Sequence, residues 1–91
     1  MVRLRGEITA RTGKQAGRRL TAALATGPPA LEIDLARVTL LTRDGAQVLF
    51  DALRTAPSHG IPVIVSHARP QARATLRTLG LDGLLRYGEA D

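Results

Sequence analysis

Short runs with a two-residue hydrophobic period alternate along this chain with longer runs of helical period, and that alternation restricts the fold more than any other feature. Val2 and Leu4 alternate with Arg3 and Arg5 up to Gly6, the pattern of a short strand with one buried face. Residues 12–15, Thr-Gly-Lys-Gln, carry capping-box spacing; Ala16, Leu20, Ala23 and Leu24 then recur at helical intervals until Gly27-Pro28-Pro29 stops them. Leu31, Ile33 and Leu35 alternate with Glu32 and Asp34 in a second strand, which puts both carboxylates opposite the aliphatic side chains. Residues 38–41 lead to Thr42-Arg43-Asp44-Gly45, and Ala46, Leu49, Phe50 and Leu53 mark a second helix ending near Ala56. After the breakers at residues 57–60 comes Ile61-Pro62-Val63-Ile64-Val65, an apolar run of the kind found in strands covered on both faces, with Pro62 placed at its beginning or on an edge. Pro70 suits the first position of a third helix carrying Ala72, Leu76 and Leu79 and stopped by Gly80; Leu84, Leu85 and Tyr87 suggest a last strand. The order predicts one small α/β domain over residues 1–91, with a mixed or mostly parallel sheet of about four strands and crossover helices. Strand order stays open.

Composition narrows the chemistry. At 91 residues the chain hides only roughly 60–65% of its unfolded surface, so all elements must share one core. No cysteine is present, which removes disulfides, thiolate nucleophiles and cysteine zinc sites, and His59 and His67 are too few to replace them. With Phe50 and Tyr87 the only aromatics, that core must be aliphatic. Lys+Arg number 13 against 8 Asp+Glu, a formal +5, and Lys14 is the only lysine. Arginine forks suit carboxylates and phosphates alike, although a coding sequence rich in G and C accounts for the excess more simply. The N-terminus has no signal-like apolar stretch and residues 61–65 are too few to span a bilayer, so a cytoplasmic protein is expected.

Several constellations resemble chemistry and have simpler readings. Gly13-Lys14 lacks the earlier glycine of a phosphate loop, Ile8 standing in its place, and has Gln15 where Ser or Thr is needed; a capped helix start is preferred. Ser58-His59 and Ser66-His67 pair a hydroxyl with an imidazole, but no Gly-x-Ser-x-Gly elbow exists and sequence neighbours rarely face each other, so Ser66 is expected to be a loop residue. Asp34, Asp44 and Asp51 suggest a metal-dependent phospho-acceptor, yet only Asp34 is expected near a strand's carboxyl end, and one carboxylate does not hold a hard cation. No metal site, cofactor or catalytic residue is therefore assigned. Asp44 has its own explanation, since a carboxylate in a first helical turn gains about 0.3–1 kcal/mol from the helix dipole. Arg69, Arg73 and Arg77 recur at steps of four and would form a cationic stripe, the basis of an alternative reading as a small nucleic-acid-binding protein. Without stacking aromatics, a solvated face is preferred and nucleic acid is not the expected partner.

Gly6-Glu7-Ile8 after the first strand, the block from Asp34-Leu35 through Val38 to Thr42-Arg43-Asp44-Gly45, and Gly60-Ile61-Pro62-Val63-Ile64-Val65 together resemble the STAS domain family, of sulfate transporters and anti-sigma factor antagonists. The likeness runs from Val2 to about Tyr87, with the family's usual first strand and last helix missing or short. It implies a non-enzymatic interaction module. Family antagonists bind a kinase-fold anti-sigma factor in bacteria, freeing a sigma factor, until that kinase phosphorylates a serine at the start of the second helix. Here Arg43 falls on that serine, Thr42 on the preceding Asp and Thr9 on the Asp of the family's Gly-Glu-Leu-Asp. An arginine cannot be phosphorylated, so no switch of the family kind is expected at Arg43. Thr39 and Thr42 are the nearby hydroxyls open to modification, Thr42 being read first as a helix N-cap. The resemblance implies a protein partner docking on Thr9, Thr42, Arg43, Asp44, Gly45 and Gln47, with no membrane involvement. Oligomeric state is not legible.

Overall fold

A computed structural model of the chain describes residues 1–55, 60–81 and 86–87. In chain order the elements are β1 (Val2–Ile8), α1 (Ala10–Ala25), β2 (Leu31–Leu41), α2 (Arg43–Thr55), β3 (Val63–Ser66), α3 (Pro70–Thr78) and β4 (Arg86–Tyr87). The strands form one sheet in the order β1-β2-β3-β4, and each pairing is parallel. When consecutive strands are also neighbours, right-handed crossovers place their helices on one face of the sheet. Burial follows: in β1, Val2, Leu4 and Ile8 are buried while Arg3, Arg5 and Glu7 are exposed. The expectation that β3 is covered on both faces is corrected for the same reason. Val65 is fully buried, but Val63 and Ile64 keep partial exposure. Pro62 stands just before the strand, its carbonyl accepting the Leu31 N–H at 2.9 Å.

Two boundaries differ from the sequence reading. α1 starts before the predicted box at residues 12–15, because Thr12 closes a capping box that Thr9 opens. The Thr9 hydroxyl accepts the Thr12 N–H at 3.4 Å, and the Thr12 hydroxyl accepts the Thr9 N–H at 2.8 Å while donating to the Glu7 carbonyl at 2.8 Å. β2 runs on to Leu41, well past the alternation that ends at Leu35. Arg3 pairs with Asp34 but Arg5 with Arg37, and Gly6 pairs with Val38 but Glu7 with Leu40, so β2 carries an additional residue at two points. Each bulge reverses the phase of inward-pointing residues, from Leu35 to Val38 and from Val38 to Leu41, all three of which are buried.

Beyond Asp34, β2 has no β3 residue beside it, and side chains near α3 take the place of a strand. The Gln71 amide oxygen accepts the Leu41 N–H at 2.9 Å, and its NH2 donates to the Leu41 carbonyl at 2.9 Å. Thr75, buried, donates to the same carbonyl at 3.1 Å. The core is aliphatic apart from Phe50, with Leu20, Ile33, Leu35, Leu41, Val65 and Leu76 fully enclosed. α3 begins at Pro70 and is followed by Gly80 at φ 71°, as its sequence suggests. The predicted strand residues Leu84 and Leu85, the end of the second helix at Ala56, and Ser58-His59 lie outside the described residues.

Candidate functional site

β1 and β2 end side by side, Ile8 paired with Leu41, so the turns into α1 and α2 are neighbours at the carboxyl edge of the sheet. Ligand and partner surfaces of parallel α/β sheets gather at that edge. Thr42 joins the two turns. Its N–H and hydroxyl both donate to the Ile8 carbonyl, at 3.0 and 3.1 Å. The same hydroxyl accepts the Gly45 N–H at 3.0 Å, which makes Thr42 the N-cap of α2.

Gly45 is buried directly behind this cap. A Cβ there would overlap the Ile8 carbonyl oxygen and come within 2.9 Å of the Thr42 hydroxyl. Its carbonyl in turn faces Gly13, where a Cβ would stand 2.8 Å from the Gly45 oxygen. Gly13 therefore serves the close crossing of α1 and α2, not a phosphate loop, and Gly45 contributes backbone support beneath the surface rather than contact area.

On this frame Arg43, Asp44 and Gln47 are exposed along the first turns of α2. Arg43 and Gln47, four residues apart, share one helical face. No hydrogen bond or ion pair within the described residues holds the Arg43 guanidinium. Asp44 lies in the first turn of α2, where the helix dipole favours a negative charge. Thr9 and Thr42 are half-buried with engaged hydroxyls, whereas Thr39 is exposed on β2. The arrangement is a small polar surface of fixed charges over a rigid double turn.

The other candidates are scattered. Asp34 is mid-strand, not at a carboxyl end, and faces Arg3 at 3.9 Å and His67 at 3.4 Å. Ser66 is the buried last residue of β3, not a loop residue; its ladder partner is Asp34, and its hydroxyl donates diagonally to Glu32, the partner of Ile64, at 2.9 Å. His67 turns away with φ 58°, so Ser66 and His67 address different carboxylates. Among the described residues no three His, Asp or Glu side chains converge on a point. Of the predicted arginine stripe, Arg69 is tied to the Ala36 carbonyl at 3.1 Å, and Arg73 is partly buried. Sequence reasoning missed Gln71 and Arg69 as partners of β2; residues thirty or more positions apart leave no periodic signal of their hydrogen bonding.

A parallel sheet with its helices on one side, and two adjoining strand-to-helix turns at its carboxyl edge, defines a small α/β domain whose polar surface lies on those turns. The family model described as Mlab, STAS domain matches residues 1–86, and the chain belongs to that family. A solved structure of the anti-sigma factor antagonist SpoIIAA in its unphosphorylated form shares the fold, with a TM-score of 0.72 and 16% identity over 97% of this chain and 77% of that one. No curated protein matches the chain significantly. No helix among the described residues is long and apolar enough to cross a membrane.

Proposed function

We propose that the chain is a non-enzymatic interaction module that docks a regulatory protein, of the kinase-fold anti-sigma type or a relative of it, through the surface formed by Thr9, Thr42, Arg43, Asp44 and Gln47. The observation that carries this reading is the exposure of Arg43 at the first turn of α2, on the residue that the STAS resemblance aligns with the phosphoacceptor serine. A serine there is a reversible charge switch, since phosphorylation adds about −1.5 to −2 charges to a docking surface. A guanidinium has one charge state at physiological pH. Docking is thus constitutive, with its polarity set by Arg43 and Asp44 together. Likeness to SpoIIAA, an antagonist of an anti-sigma factor, supports a partner of that class.

The test mixes the full chain with the kinase-fold regulator encoded nearest to it and measures affinity by calorimetry with and without ATP. A complex of equal affinity in both conditions, weakened about tenfold or more by Arg43→Ser or by Asp44→Ala, is the expected result, in the range for charged interface contacts. Absence of a complex, or indifference to both substitutions, overturns the reading.

A further inference from the structure

A second charged feature lies away from the docking turns, on the side of β1 and β2 that the described helices leave open. Here a concavity of about 590 Å3 is lined by Arg3, Arg5, Arg19, Arg37 and Asp34, with Leu4 and Ala36. It sits at the first bulge of β2, where the additional residue re-aims the strand. Arg5 and Arg37 are Cα partners across the β1–β2 ladder, both exposed and both lining the hollow. Like charges placed directly opposite each other in a sheet destabilise it. Among the described residues neither has a hydrogen-bond or ion-pair partner.

The one carboxylate among the described residues lining the hollow does not neutralise them. Asp34 Oδ1 accepts the Ala36 N–H at 2.9 Å and lies 3.4 Å from His67, and its Oδ2 is 3.9 Å from Arg3. Asp34 is thus committed to holding the bulge and to Arg3. Arg19 reaches from α1 to the Arg3 carbonyl at 2.9 Å and walls the hollow at the outer edge of β1. The result is a solvent-exposed excess of guanidinium charge around the hollow, with a repulsive Cα pair among its lining residues.

We propose that this hollow binds a small diphosphate-type oxyanion, with Arg5 and Arg37 as its principal ligands and Arg3 and Arg19 beside them. Guanidinium forks make bidentate contacts to phosphate oxygens, and several arginines carried by two strands and a helix around one hollow suit adjacent phosphoryl groups better than a single carboxylate. The volume falls in the range of small-molecule sites. No aromatic side chain among the described residues lines it, so recognition rests on the phosphoryl groups and not on a base. The lining residues gather around one bulge and do not extend along a groove, which favours a small ligand over a polymer backbone.

Calorimetry of the full chain with inorganic pyrophosphate at low ionic strength tests the proposal. Saturable binding is expected, about tenfold or more tighter than orthophosphate, and weakened about tenfold or more by the Arg5→Gln, Arg37→Gln double variant. That variant should melt no lower than the parent, because it removes a repulsive pair, so lost binding is not lost folding. Arg18→Gln, outside the hollow, and Arg43→Ser, on the docking surface, should bind as the parent does, which separates this site from the docking reading. No binding, equal affinity for orthophosphate, or equal weakening by Arg18→Gln overturns the proposal. So does a single-stranded oligonucleotide that binds through Arg5 and Arg37 where pyrophosphate does not.

Discussion

At Gly45, the Ile8 carbonyl and the Thr42 hydroxyl occupy the space that a side chain would need, and both are fixed by hydrogen bonds to each other. Gly45→Ala must push the α2 start away from β1, at a cost of roughly 2–3 kcal/mol, to be read as a lower urea midpoint with an unchanged slope. Thr42→Ala removes a cap and one tie between the two turns. It should lower stability by about 1 kcal/mol in the same assay, with Thr42→Ser recovering most of that. At this scale the sequence was partly legible. Thr42 as an N-cap and Asp44 as a first-turn carboxylate follow from residue type and position, and the structure agrees. Gly45 was legible only as part of a motif. That it is buried against β1 depends on Ile8, distant in sequence, and no local pattern reports such an approach.

Among the elements, β2 shows most clearly what a periodic reading captures and loses. Its first half, Leu31 to Leu35, alternates strictly and is visible as a strand; its second half is equally a strand but shifts phase twice. Alternation reports the face a side chain takes only while the pairing register is continuous, and a bulge breaks that link without breaking the strand. The start of α1 escapes the capping-box pattern for a different reason, since a Thr-x-x-Thr box satisfies the same donors as the Ser/Thr-x-x-Glu/Gln pattern. Gln71 supplies a further test at this scale. Its amide gives Leu41 the donor and acceptor that an adjacent peptide would give, so Gln71→Ala leaves a strand N–H without its partner. A loss of about 1–2 kcal/mol is expected, together with faster hydrogen exchange at the Leu41 amide and little change at Ile33, which lies inside the ladder.

For the molecule as a whole, alternation of strand and helix was enough to predict an α/β domain and its shared aliphatic core. Strand order was not predictable, because every parallel arrangement with crossover helices produces the same sequence pattern. The observed order leaves β1 at one edge of the sheet, and this has a consequence for how copies of the chain behave in concentrated solution. An uncovered edge is a template on which a second molecule can lay a strand and begin a fibre. Arg19 already occupies the Arg3 carbonyl on that border, and the charges of Arg3 and Arg5 repel a like strand arriving there. Arg19→Ala should therefore fold normally and yet raise light scattering during prolonged incubation at high protein concentration, an effect strongest in salt that screens the remaining cations. A few arginines along one border thus stand between this edge and a second copy of the chain.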